Sequence, residues 1–221
     1  LIRDGILRLV EPESPRGHRH PIDKFFSSLA KDQKAKAIAI VLSGAGSNGT
    51  TGLADIKQAG GLCIAQDPEI AKFDSMPRHA TASGSVDLVL APEDMPEALI
   101  RYARHSYVDA PRPELAEDDG ADTTGPGLKD VLTLLHARAG HDFSQYKRNT
   151  LSRRIHRRMG IAHIDKLGDY LDRLEQDPEE AGQLVKDLLI HVTAFFRDAD
   201  AWDALDREVI TPMVEKAERR D

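Results

Sequence analysis

Apolar positions along the chain change their period near residue 127. Upstream they form short continuous runs. Ala37 to Leu42 reads AIAIVL, Leu62 to Ala65 reads LCIA, and Val86 to Leu90 reads VDLVL. The continuous run AIAIVL predicts a strand buried on both faces of a sheet, and the other two predict a second and a third strand. Ile6 to Val10 predicts a further strand. Between the runs the spacing is helical. Pro21 to Ala30 turns Phe25, Phe26 and Leu29 inward, Leu53 to Ala59 ends at Gly60 and Gly61, and Met95 to Arg104 closes the unit. Strands alternating with helices predict an α/β layered fold with a mainly parallel, Rossmann-like sheet.

Downstream the period is helical throughout. Leu128, Val131, Leu132 and Leu135 make one stripe, and Leu151, Ile155 and Met159 a second. Leu167, Tyr170, Leu171 and Leu174 make a third, Ala181, Leu184, Val185 and Leu188 a fourth, and Trp202, Leu205 and Val209 a fifth. This spacing predicts a small all-α domain. Between the halves, residues 106–127 (SYVDAPRPELAEDDGADTTGPG) are rich in Pro, Gly and acids. Such a stretch buries too little apolar surface to offset its ordering entropy and is read as a flexible linker. Domains are therefore expected at 1–105 and 128–181, with a further domain beginning over 182–221. The first residue is Leu1 rather than Met, which suggests a fragment.

The 40% hydrophobic and 30% charged content fits a globular chain. A net charge of −7 argues against nucleic acid as a partner. No apolar run approaches the roughly 20 residues of a membrane span, so no membrane insertion is expected. Cys63 is the single cysteine. With no internal disulfide available, it points to a reducing, cytoplasmic setting. His18, His20 and His79 lack ligand spacing to Cys or acid partners, so no metal site is expected. Ser43 follows a strand, but no G-x-S-x-G surrounds it.

Gly44 to Gly49 (GAGSNG) reads G-x-G-x-x-G between a strand and a helix, with Asp67 ending the next strand. By motif alone it is either a dinucleotide fingerprint or a tight turn whose glycines permit positive φ. A basic run, YKRNTLSRRIHRRM, carries Arg153, Arg154, Arg157 and Arg158. The helical period places Leu151, Ile155 and Met159 inward and the arginines outward. They form either a solvated face or a surface for carboxylates, which arginine grips bidentately.

The stretch from VLSGAGSNGTTGL through AGG, IAQDP and MPRHA to VDLVLAP resembles the C-terminal half of CheB-type methylesterases, as do DGILRL and HPIDKFFSSLA upstream. The resemblance spans residues 1–105. It replaces the dinucleotide reading with that of a protein-glutamate methylesterase, which hydrolyses receptor methyl esters with a Ser–His–Asp triad. The family's Ser and His fall upstream of this chain. Its Asp falls at Asn48, whose neutral amide cannot stabilise an imidazolium as a carboxylate does. The expectation is an impaired esterase; alternatively, this half is a catalytically silent signalling scaffold.

Downstream, GHDFSQYKRNTLSRRIHRRM and LGDYLDRLEQDPEEAGQLVKDLLIHVTAFFRD resemble the N-terminal region of CheR-type protein-glutamate methyltransferases. That resemblance implies a receptor-binding role for Arg153, Arg154, Arg157 and Arg158, facing the acidic methylation region of a chemotaxis receptor. It also implies S-adenosylmethionine as cofactor, with Thr193 and Arg197 contributing to a site that this chain holds only in part. The whole predicts a methylesterase–methyltransferase fusion acting in receptor adaptation.

Overall fold

The computed structural model describes residues 1–11, 20–105, 107, 127–143, 145–189, 205–211 and 213. Two compact units divide the chain, Leu1–Leu189 and Ile190–Asp221.

The first unit opens with a small antiparallel pair, β1 (Ile2–Arg3) and β2 (Ile6–Leu7). Asp4 and Gly5 join them, both at positive φ. That conformation matches the twist of a two-residue hairpin turn. The strand expected over Ile6 to Val10 thus stops at Leu7, where pairing with β1 ends. Helix α1 (Pro21–Gln33) begins with proline in its first turn, where the missing N–H costs nothing. The Asp32 carboxylate at its far end accepts from the amides of Asp4 and Gly5.

Three strands form the main sheet: β3 (Ile38–Val41), β4 (Leu62–Gln66) and β5 (Leu88–Leu90). They are parallel in the order β3-β4-β5, with Ile40 opposite Ile64 and Ile64 opposite Leu88. Helix α2 (Thr50–Ala59) connects β3 to β4, and α3 (Ser75–Ala82) lies between β4 and β5. Helix α4 (Met95–Arg104) follows β5. The sequence pattern did not announce α3, whose short stretch holds only Met76 and three alanine or proline residues as apolar material.

The central strand β4 is buried at all five positions. Period-2 alternation assigns its side chains to two cores. Cys63 and Ala65 join Phe26, Leu53 and Ile56 from α1 and α2. Leu62 and Ile64 join Met95 and Tyr102 from α4 on the other face. Gly61 allows β4 to start where it does: a Cβ there would stand 2.4 Å from the Ala37 carbonyl oxygen.

The remaining helices are α5 (Leu128–Ala139), α6 (Arg148–Ala162), α7 (Leu167–Gln176) and α8 (Pro178–Leu188). The expected stripes meet in one core that includes Val131, Leu135, Leu151, Ile155, Leu174 and Leu184. Asp177 caps α8, accepting from the amides of Glu179 and Glu180 at 3.0 and 3.1 Å. The domain boundary expected at residue 181 falls inside α8. Leu184 and Leu188 beyond it belong to the same helical core, so the helical layer continues through this helix.

The two halves are not separate bodies. Ile161 of α6 enters the core formed by Leu62, Ile64, Met95 and Tyr102. His105 Nε2 lies 2.9 Å from the Ile164 carbonyl oxygen. In the second unit, Asp206–Ile210 forms a π-helical segment. Trp202 of the fifth stripe lies outside the described residues.

Candidate functional site

The Gly-rich turn between β3 and α2 is held in a fixed shape by neighbouring loops. Gly46 and Gly49 have φ of 89° and 94°, values that L side chains resist. Ser43 donates its amide to Gln66 Oε1 at 2.8 Å and accepts from the Phe73 amide at 2.9 Å. The Gly44 amide donates to the Phe73 carbonyl, and the Met76 amide to the Gly44 carbonyl. Ser75 Oγ donates to the Gly46 carbonyl at 3.2 Å.

Amides at the N-terminus of α2 are already taken. Gly49 and Gly52 donate to the two carboxylate oxygens of Asp23 at 3.0 and 2.9 Å. Asp23 thus supplies, from α1, the negative charge that a helix N-terminus favours. Asp67 accepts from the Glu69 amide at 2.9 Å within its own turn. Asp55 accepts from Ser27 Oγ, and Asp74 pairs with Arg78.

Asn48 stands last before the N-cap glycine of α2. It is half-buried, but its Oδ1 is fully buried with no hydrogen-bond partner among the described residues. A buried acceptor left unpaired costs about 1–3 kcal/mol. Ser75 Oγ lies 3.5 Å from His79 Nδ1, but both atoms have closer partners. Ser75 Oγ is directed to the Gly46 carbonyl, and His79 Nδ1 lies 2.7 Å from the Ser75 carbonyl oxygen.

The basic helix departs from expectation. Leu151, Ile155 and Met159 do face the helical core, yet the arginines do not all face solvent. Arg153 is exposed, whereas Arg154, Arg157 and Arg158 are 9%, 1% and 5% exposed. The cause is that α6 is covered on two sides, by the helical core and by the α/β half. Arg158 forms a bidentate pair with Glu180, which also accepts from Tyr170 Oη at 2.7 Å. Arg157 donates through Nε and Nη2 to the Gly61 carbonyl at 3.1 and 2.7 Å. It also donates to Asp87 Oδ2 at 2.5 Å and to Asp187 Oδ2 at 2.7 Å.

Lys57 completes a buried quartet, its Nζ 3.4 Å from Asp87 Oδ1 and 3.1 Å from Asp187 Oδ1. Two cations and two carboxylates balance, as burial requires. Desolvation pushes the Asp187 carboxyl up, but Arg157 and Lys57 outweigh it and hold the group below the ordinary aspartate value. Arg154 has no carboxylate within ion-pair distance among the described residues. Desolvation and the neighbouring Arg153 lower its pKa.

With this geometry in place, similarity to known proteins is informative. Residues 3–99 match the CheB methylesterase family, and residues 126–189 match the all-alpha domain of the CheR methyltransferases. Two segments thus follow one another in the chain, the first similar to CheB methylesterases and the second to the CheR all-alpha domain. An "Uncharacterized 104.1 kDa protein in hypE 3'region" of Rhodobacter capsulatus is 39% identical over 96% of this chain and 24% of its own length. A protein-glutamate methylesterase/protein-glutamine glutaminase of Anaeromyxobacter dehalogenans is 38% identical over 46% of this chain and 30% of its own. The CheB methylesterase catalytic domain of Thermotoga maritima aligns with 35% of this chain and 41% of its own at 37% identity, with a TM-score of 0.34. The chain spans a minority of the length of these relatives.

The all-alpha match ends at residue 189, one residue after α8 closes. Thr193 and Arg197 lie outside the described residues. No helix among the described residues is long and apolar enough to cross a membrane. The quartet went unforeseen, although the sequence carried a signal. Asp187 sits on the apolar stripe of α8 between Leu184 and Leu188, Asp87 interrupts the VDLVL run, and Lys57 follows Ile56 in α2. A charge on an apolar face implies a buried partner, but the sequence does not say which.

Proposed function

We propose that this chain is part of a receptor-adaptation protein. Its CheB segment contributes to hydrolysis of glutamyl methyl esters, and its CheR domain to methylation of receptor glutamates. The observation that carries the proposal is the succession of the two family segments in one chain, 3–99 then 126–189. Hydrolysis consumes water and returns a carboxylate and methanol. A serine and a histidine from elsewhere in the whole protein would supply nucleophile and proton carrier, and the imidazole Nδ1–H would donate to Asn48.

The unpaired Oδ1 of Asn48 supports that role, because it is an acceptor with no donor among the described residues. It lacks the charge that stabilises imidazolium. In a serine protease, the corresponding Asp→Asn change lowers kcat by about 10⁴-fold. A silent esterase half is therefore the favoured form of this proposal. Asn48→Asp in the whole protein is expected to raise methanol release from methylated receptor; no rise would show that Asn48 is not what limits the esterase.

In the CheR half, S-adenosylmethionine supplies the methyl group, and Thr193 and Arg197 are proposed to hold its methionine carboxylate. A hydroxyl and a guanidinium suit that anion. Exposed Arg153 and desolvated Arg154 are proposed to meet the acidic receptor segment. Arg197→Ala is expected to weaken cofactor binding measured by calorimetry, and Arg153→Ala to weaken receptor binding. Unchanged affinities would remove these assignments.

A further inference from the structure

The CheB segment covers one side of the basic helix α6, and it does so with a carboxylate. Asp87 accepts from Arg157 Nη2 at 2.5 Å, and the Gly61 carbonyl takes two more of its N–H groups. Ile161, one turn further along α6, is buried against Leu62 and Ile64 of the sheet. Tyr107 Oη donates to the Gly60 carbonyl at 3.0 Å, and a Cβ on Gly160 would stand 3.5 Å from His105 Cγ. These contacts all join the two family segments or the chain just after the first of them. They leave Arg154 nine-tenths buried and without a carboxylate partner among the described residues. An unpaired guanidinium withdrawn from water is costly unless an anion reaches it.

We infer that the CheB segment is an intramolecular cap on the basic helix. Asp87 occupies on Arg157 the place of an acidic partner's carboxylate, so a helical, glutamate-rich partner engages α6 fully only after the two segments part. The inference rests on the proposal that α6 meets an acidic receptor segment. Closed, the helix offers such a partner Arg153 and the edge of Arg154. Open, it adds Arg157, which keeps Asp187 from its own domain but loses Asp87 and the Gly61 carbonyl. Arg158, bound to Glu180 within the helical domain, is unaffected by opening. The apparent affinity for the partner is scaled by the open fraction, so holding the segments together weakens binding and releasing them strengthens it.

The experiment uses this chain and a fluorescent 20-residue helical peptide with glutamate at i, i+4 spacing. Binding is followed by anisotropy, and opening by hydrogen exchange of the α6 amides. Two variants act in opposite directions. Asp87→Ala removes the capping carboxylate. The pair His105→Cys and Gly160→Cys puts two thiols at the contact between these residues, and it serves as a lock once non-reducing mass spectrometry shows the disulfide formed. The expected result is faster α6 exchange and roughly tenfold tighter peptide binding in Asp87→Ala. The oxidised lock should bind at least roughly tenfold more weakly than its reduced form.

Equal peptide affinity in the oxidised lock, its reduced form and Asp87→Ala would overturn the cap while leaving the acidic-partner proposal standing. Faster exchange in Asp87→Ala with no peptide binding in any form would overturn the acidic-partner proposal, and the cap's role with it. Unchanged exchange in Asp87→Ala would overturn the cap directly.

Discussion

Replacing Arg157 with alanine removes the centre of the buried quartet. The side chain is 1% exposed and makes four hydrogen bonds, two of them to carboxylates. Its loss leaves Asp87 and Asp187, both essentially without solvent, sharing the single cation Lys57. Breaking a buried ion pair by deleting one partner costs about 3–5 kcal/mol, because the surviving charge stays buried. The Gly61 carbonyl also loses the two N–H groups it accepts from, and the space of a fully buried side chain is left empty. With an m-value of roughly 2 kcal/mol/M, the urea midpoint should fall by roughly 2 M. Far-UV circular dichroism would follow the transition. Arg153→Ala, four positions earlier on the same helix but exposed, should stay within about 0.5 kcal/mol of wild type. Combining Arg157→Ala with Asp187→Ala should recover part of the loss, since one uncompensated carboxylate is removed. If Arg157→Ala is as stable as Arg153→Ala, the quartet does not hold the two segments together.

Three further outcomes follow from the same geometry. Asp187 titrates below its unfolded value of 3.8, so its contribution to stability is present above that pH and is lost as pH falls through the depressed folded value; urea midpoints that do not decline below about pH 4 would contradict this. Burial pushes the Cys63 thiol well above its ordinary value, so native protein should resist a thiol reagent such as Ellman's at pH 8 and react only on unfolding, whereas rapid native reaction would refute the strand's burial. Asp23→Ala removes the acceptor for the Gly49 and Gly52 amides and should destabilise by about 0.5–2 kcal/mol in thermal melts, with no change meaning that α2 needs no cap from α1.

Much of the fold was legible because burial imposes periodicity. The runs AIAIVL and LCIA became β3 and β4, since a strand covered on both faces needs no polar alternation. The leucine stripes likewise became α5 to α8. Helix α3 was not legible, because its eight residues carry too few large apolar side chains to show a period. The face of α6 was misjudged for a different reason. Amphipathic spacing assumes one buried side, and α6 has two. Arg157 and Arg158, which read as solvent-facing, are instead satisfied by Asp87, Asp187, Glu180 and a carbonyl. Such pairings cross 70 and 30 residues of sequence, from Arg157 to Asp87 and Asp187, a range at which no local pattern speaks. At the Gly-rich turn the glycine spacing was readable, but Asp23's occupation of the helix N-terminus depends on how α1 packs.

The central proposal is that the whole protein containing this chain methylates receptor glutamates, with an esterase half that Asn48 leaves nearly silent. The most direct test incubates that protein with receptor membranes and radiolabelled S-adenosylmethionine, then follows label entering receptor and leaving as methanol. Incorporation with little release is the predicted result, and Asn48→Asp should increase the release. Absence of incorporation and release together would contradict the account and leave a non-enzymatic scaffold in its place.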